Sequence, residues 1–364
     1  MGRRKGKGKA VAARVEGKGM GGATAEDMVE EAQTQMLFGN YDKAMQIMKA
    51  LHQACPDNTE VLDIYGTVLA EVGMVDEAVS VLSRAVELSP DEGHEKYMYL
   101  SQLAEGEASL GYSRRGIEIL RRAASREGED AAYRDDLRGQ LCEAICSLVE
   151  TMLNIPGAAS SGSEEALRLL EEARQCSPAS PEPSLVKASL FVELKRRGEA
   201  QRALRDSMGL WYARPKSLLL AEGPGMDIDG GSDGGGEEDE NHLRPGATPP
   251  SYEFRFETAK LVMELEDDAR DSVVILGGLL EENDGNLDVW FLLSLAHQGM
   301  GQVDEAGECL DHVERAIHGF PADAVERENL RVMREDVEKF RREFAGMGEK
   351  KKMGEGEEKK MGEE

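Results

Sequence analysis

One pattern occurs twice in succession in this chain, at a period of about 34 residues. GNYDKAMQIMKALHQACPDN, from Gly39, lies over GMVDEAVSVLSRAVELSPDE, from Gly73, so that Gly39/Gly73, Ala44/Ala78, Met48/Leu82, Leu51/Ala85 and Pro56/Pro90 fall in register. A period of this length is the mark of stacked helix pairs, each too small to bury its apolar face alone. The positions have mechanical reasons. Glycine permits the positive φ of a tight turn between two helices. A small residue at Ala44 or Ala78 lets antiparallel helices approach closely, and the proline stops the second helix.

The frame predicts a first unit over 25–58, with Thr24 and Asp27 spaced as a capping box, and a second over 59–92. A third, 97–130, keeps Gly111, Leu120 and Ala123 after a four-residue slip. The fourth is split, with an inner helix near 132–154, a loop at 155–163, then EEALRLLEEARQCSP; the fifth is looser, around Gly198 and Ala203. A sixth lies near 253–286, a seventh over 287–320 with Trp290 and Leu293 at W-x2-L spacing, and residues 322–344 read as a charged capping helix. This is the tetratricopeptide-repeat (TPR) pattern. The expected fold is all-α, a right-handed superhelical α-solenoid of about seven helix pairs plus the cap.

Glycine is concentrated in three stretches outside the periodic part, which together hold 19 of the chain's 40. Low apolar content at that density leaves too little surface to bury. The expected organisation is a disordered basic tail over 1–22, units one to five over 23–221 and a disordered acidic Gly/Asp insertion over 222–250. Units six and seven with the cap follow over 251–345, then a disordered Lys/Glu tail over 346–364. Of the net charge of −27, the segments 1–22, 222–244 and 346–364 together carry −2, which leaves −25 on the body. Such a field attracts basic partners and repels nucleic acid and anionic membrane. The longest apolar run, from Ser272 to Leu280, contains two glycines and is too short to span a bilayer; the basic start lacks an apolar stretch behind it and does not read as a secretory signal.

Five cysteines without a CxxC pair suit a reduced, intracellular chain, with Cys142 and Cys146 one helical turn apart in a core. The six histidines are scattered, no HExxH or GxxxxGK[ST] occurs, and no nucleophile stands beside a base. The expectation is a binding protein and not an enzyme, with no cofactor and no metal.

In a TPR stack the first helix of each pair lines the concave side. In this frame the partner-binding candidates are Glu26, Val29, Gln33 and Met36 from unit one, then Glu60, Asp63 and Glu71 from unit two. Glu105 comes from unit three, Leu141 and Ile145 from unit four, Phe254, Glu257, Leu261 and Glu264 from unit six, and Phe291 from unit seven. The chaperone-docking TPR grips a carboxylate with Lys, Arg and Asn at set places. Here those places hold Val29, Gln33, Ile64, Met98 and Gln102. An acidic lining with apolar patches suits an extended basic segment instead.

The acidic TPR body, basic start, Gly/Asp insertion and Lys/Glu tail together resemble the fungal family of dedicated assembly chaperones of large-subunit ribosomal protein four. That resemblance implies a client: the long basic internal loop of the newly made ribosomal protein, held soluble, escorted to the nucleus and released on joining the precursor subunit. It implies a cytoplasmic and nuclear monomer in a one-to-one complex, without direct nucleic-acid or membrane binding. The basic stretch GRRKGKGK would suit an import signal. The other reading is a TPR scaffold or adaptor in another multiprotein complex. Steep salt dependence of partner binding separates the two, because only a basic client demands it.

Overall fold

A computed structural model describes residues 24–126, 130–215, 218, 242–319, 334–335 and 337–342. The expected tails 1–22 and 346–364, and most of the expected insertion, lie outside these residues. The chain divides into two compact units, Met1–Arg196 and Arg197–Glu364.

In the first unit, α1 (Ala25–Leu37) pairs with α2 (Tyr41–Ala54), α3 (Thr59–Glu71) with α4 (Val75–Leu88), and α5 (Glu95–Leu103) with α6 (Gly106–Ala124). Then α7 (Ala131–Asn154) pairs with α9 (Ser163–Cys176), with the short α8 (Ala158–Ser161) inside the segment expected as a loop, and α10 (Glu182–Glu193) packs on α7 and α9. The capping box at the start of α1 forms: Thr24 Oγ1 accepts from the Asp27 amide at 3.1 Å and Asp27 accepts from the Thr24 amide at 2.8 Å. In the second unit α11 (Arg197–Trp211) packs on α12 (Tyr252–Leu265). There α12 pairs with α13 (Arg270–Glu282), and α14 (Leu287–Gly299) with α15 (Val303–Gly319). The two units hold several small apolar clusters rather than one deep core, as a stack of repeats requires.

One packing code runs through seven of these helices. A small residue is followed four places on by a large apolar one, and three later by a third core position: Ala44-Met48-Leu51, Ala78-Leu82-Ala85, Gly116-Leu120-Ala123, Ala166-Leu170-Ala173, Ala200-Leu204-Ser207, Ser272-Leu276-Leu279 and Ala306-Leu310-Val313. All are buried except the half-buried Ala123. Spacings of four and three places put the trio on one helix face, where it meets the partner helix.

The turns that join several of the pairs share one geometry. The Gly39 amide donates to Met36 O at 2.9 Å and the Asn40 amide to Gln35 O at 2.8 Å. The pattern recurs at Gly73/Met74 and Gly301/Gln302, with φ of 71°, 79° and 73° at the three glycines. These are the reversed bonds of a helix closed by a left-handed residue.

Two expected units need correction. In the fifth, the left-handed residue is Lys195, at φ 58°, with the same two bonds to Val192 O and Phe191 O. The frame therefore sits three places earlier than Gly198 and Ala203 suggest, and Ala200, fully buried, holds the small place. A lysine in a glycine's conformation hid the turn. In the third, Gly111 lies exposed inside α6, because that helix starts at Gly106. The close approach belongs to Gly116, where a Cβ would lie 3.2 Å from Tyr97 Cβ.

Residues 242–250, expected as the end of a disordered insertion, belong to the second unit. Ala213 N donates to His242 O at 2.7 Å and Arg244 N to Trp211 O at 2.8 Å, and Leu243 and Ala247 pack against the cluster around Trp211 and Tyr212. Those apolar side chains outweigh the Pro/Gly composition that read as loop. Of the expected cap, Val337 and Phe340 are buried against Leu310, Val313 and Ile317, and Arg341 pairs with Asp311 and Glu314; residues 322–333 lie outside the description.

Candidate functional site

The first unit carries a cleft of about 740 Å³, bounded by α1, α3, the α4–α5 turn, α5, the end of α6 and the start of α7. Gln33 and Met36 come from α1, Glu60, Asp63, Ile64 and Thr67 from α3, and Tyr133 and Leu137 from α7. The α4–α5 turn contributes Asp91, Glu92, Gly93 and His94, α5 contributes Glu95 and Lys96, α6 adds Ile119 and Arg122, and Arg126 follows just past its end. The lining thus combines acidic, apolar and basic side chains. Asn58 caps the start of α3, its side chain accepting from the Val61 amide at 3.2 Å. That cap fixes the start of α3, on which Glu60, Asp63 and Thr67 follow at steps of three and four and so share one face.

Charges in the cleft are not equivalent. Asp91 is engaged by Arg115, with Arg122 Nη2 at 3.7 Å. Glu60 and Glu92 are exposed. Asp63 is the unusual one: its Oδ1 is buried and accepts no hydrogen bond, and the nearest cation is Lys96 Nζ at 3.6 Å. The Lys96 side chain is only 1% exposed. Burial pushes the Asp63 carboxyl up to about 6; Lys96 opposes that rise, while Glu95 and Glu60 add to it.

A second acidic group forms farther along the unit, where α7 presents Glu143 and Glu150 and α10 begins with Glu182. Burial pushes the Glu182 carboxyl up to about 7, helped by the negative charges of Glu150 and Glu143, with no cation acting against it.

The cleft gathers four of the sequence candidates: Gln33, Met36, Glu60 and Asp63. Glu26 stands exposed in the first turn of α1, and Glu71 ends α3 accepting a hydrogen bond from Tyr99 Oη at 3.0 Å. Val29, Leu141 and Ile145 are core side chains and present nothing to a partner. Glu105 is the N-cap residue of α6 and not part of an inner helix, because α5 is short and ends at Leu103. In the second unit Leu261 is buried, Phe254 packs edge-on to Trp211 and Phe291 edge-on to Phe340. Glu257 pairs with Lys260 at 2.9 Å, and Glu264 is exposed. The frame placed apolar residues of the long α7 on the groove side, whereas α7 is packed by both α9 and α10. Lys96, Glu92 and Glu95 were missed. They precede the place where the repeat frame starts the third unit, and the early start of α5 at Glu95 brings them in.

No helix of the described residues is long and apolar enough to cross a membrane. Among the described residues no cluster of three His, Cys, Asp or Glu is arranged to hold a metal ion.

Helix pairs built on one packing code, several of them closed by the same left-handed turn, have the all-α architecture of a tetratricopeptide-repeat solenoid fold. No protein-family model matches the chain. It is similar to a probable assembly chaperone of rpl4 from Schizosaccharomyces pombe, 26% identical over 278 residues that cover 72% of this chain and 73% of that one. It is also similar to a probable assembly chaperone of rpl4 from Emericella nidulans, 22% identical over 293 residues, 77% of this chain and 66% of that one. Among solved structures, residues 1–338 of the assembly chaperone of RpL4 (Acl4) share the fold with a TM-score of 0.60 at 22% identity, covering 79% of this chain and 100% of that one.

Proposed function

We propose that this chain is a non-catalytic assembly chaperone for a basic ribosomal protein, rpl4 by likeness to its relatives, and that the cleft of the first unit receives an extended basic segment of that client. The observation that carries the reading is that Glu60, Asp63, Glu92 and Glu95 line one cleft together with the apolar Met36, Ile64, Ile119 and Leu137. Likeness to two probable assembly chaperones of rpl4 supports the client. A ribosomal protein's basic loop is made to sit against RNA phosphates; carboxylates substitute for those phosphates until RNA displaces them. We extend the reading to a monomer in a one-to-one complex, acting in cytoplasm and nucleus, with the tails and the 222–241 segment outside the client contact.

The test reverses Glu60 and Glu92 to Lys and measures affinity for rpl4 at two salt concentrations, with Glu77 and Glu107 on outer helices reversed as a charge-matched control. Exposed ion pairs contribute ~0.2–1 kcal/mol each, and reversal adds repulsion of similar size. The expected outcome is affinity about tenfold or more weaker, with a shallower salt dependence, for the cleft variant alone. Equal loss in both variants would assign binding to the general field, and no loss in either would remove the cleft from the reading.

A further inference from the structure

Lys96 is a cation inside an acidic cleft, which at first sight opposes a basic ligand. Its placement says otherwise. The side chain is 1% exposed, so its ammonium does not meet a ligand as a surface charge; Nζ faces Asp63 Oδ1 at 3.6 Å. Asp63 in turn keeps 27% of its side chain accessible, and that part lines the cleft. A carboxylate this far out of water needs a compensating charge to stay ionised, and Lys96 supplies it from behind.

We propose that Lys96 is a positioning residue which holds Asp63 as a cation-accepting carboxylate, so that the cleft seats one ammonium or guanidinium side chain of an extended basic segment against Asp63 and Glu60. The inference rests on the basic-client reading above and names the point within the cleft where charge is read. Gly93 completes the arrangement: a Cβ there would lie 2.9 Å from Asp63 Oδ2 and 3.4 Å from Lys96 Nζ, so any side chain would crowd the pair.

Titratable and charged groups from every neighbouring element line the cleft around the pair. Glu60 stands on α3, Asp91, Glu92 and His94 on the α4–α5 turn, Glu95 beside Lys96 on α5, Arg122 at the end of α6 with Arg126 just past it, and Tyr133 on α7. Glu95 and Glu60 push the Asp63 carboxyl up and Lys96 pulls it down, with burial the largest influence and a result of about 6. A ligand cation selects the ionised carboxylate. Binding through Asp63 is therefore fullest well above pH 6, half lost at that pH, and gone as pH falls below it. Without Lys96 that midpoint moves upward, toward neutrality.

The test uses the full chain with Lys96→Met, Lys96→Arg and Asp63→Asn, and a short synthetic Arg/Lys-rich peptide as probe. Removing a lysine from a groove that attracts cations would ordinarily tighten binding. Here Lys96→Met weakens the peptide about fivefold or more at pH 7, of the order of one ion pair. It also moves the pH profile of binding upward; Lys96→Arg restores both, and Asp63→Asn flattens the profile between pH 5 and 7. Carboxyl NMR of Asp63 follows the pair directly and keeps the inference testable if a variant unfolds. Asp63 titrating near its ordinary value in the intact chain overturns it, as does Lys96→Met binding as tightly as the unaltered protein with the same profile. If the unaltered chain binds no basic peptide at any pH, the client reading fails, while the carboxyl titration still decides whether Lys96 governs Asp63.

Discussion

Glu182 begins α10 and faces Glu143 and Glu150 on α7. Its carboxyl is held up to about 7, first by burial and then by those two charges. A carboxyl raised in the folded state contributes stability that is full below its ordinary value and lost as pH rises through the folded one. Thermal stability should therefore decline between pH 5 and 8, and Glu182→Gln should remove much of the decline, stabilising the chain at pH 8 by about 1–2 kcal/mol. A melting series across that range checks it. The buried glycines rank differently from what their burial suggests. A Cβ at Gly66 would meet Leu82 Cδ2 at 2.3 Å, and Leu82 is fully buried; at Gly116 the nearest atom is the flexible tip of Met98, at 1.9 Å. Gly66→Ala should cost about 1–3 kcal/mol by overpacking and Gly116→Ala less, because Met98 is half-buried and its tip has room to turn. Chemical denaturation of the two variants decides the order.

At the scale of the element, the turn between helices is a module with one conformational requirement. Gly39, Gly73 and Gly301 meet it without penalty, while Lys195 holds φ 58° with a Cβ. Lys195→Gly should stabilise the chain by roughly 0.5 kcal/mol, since a left-handed conformation costs a non-glycine residue about 1–2 kcal/mol and added freedom in the unfolded chain takes part of that back. Equilibrium unfolding of the variant measures it, and a loss of stability would mean that the lysine side chain makes contacts worth more than the strain. The same module explains why the fourth and fifth units looked irregular. Their packing trios, Ala166-Leu170-Ala173 and Ala200-Leu204-Ser207, stand one full repeat period apart, like those of the first two units. What varies is the turn residue and the length of chain between units, where surface loops tolerate insertion.

Over the whole chain, the segment between Tyr212 and Leu243 leaves and returns at a single bridge. Deleting 222–240 should leave the melting temperature within about 2 °C, because loop length enters closure entropy only logarithmically. Extending the deletion to 250 removes Leu243 and Ala247 from the cluster around Trp211 and should lower the second unit's stability by several degrees. Both tryptophans, Trp211 and Trp290, belong to the second unit, so their fluorescence reports on that unit while circular dichroism reports on both. The repeat, the small-large-apolar code, the capping box and the acidity of the body were legible in the sequence, because each depends on residues near one another along the chain or on composition alone. The packing of α7 by two neighbours, which turned Leu141 and Ile145 from groove to core, was not, since burial on a second face is set by which helices meet in space. Nor was the Asp63–Lys96 pair: its members belong to different helices of successive units, and only the early start of α5 brings a buried ammonium behind the carboxylate. Periodicity says which residues share a helix face, whereas the state of a charge depends on how deep folding buries it and on which opposite charge arrives beside it.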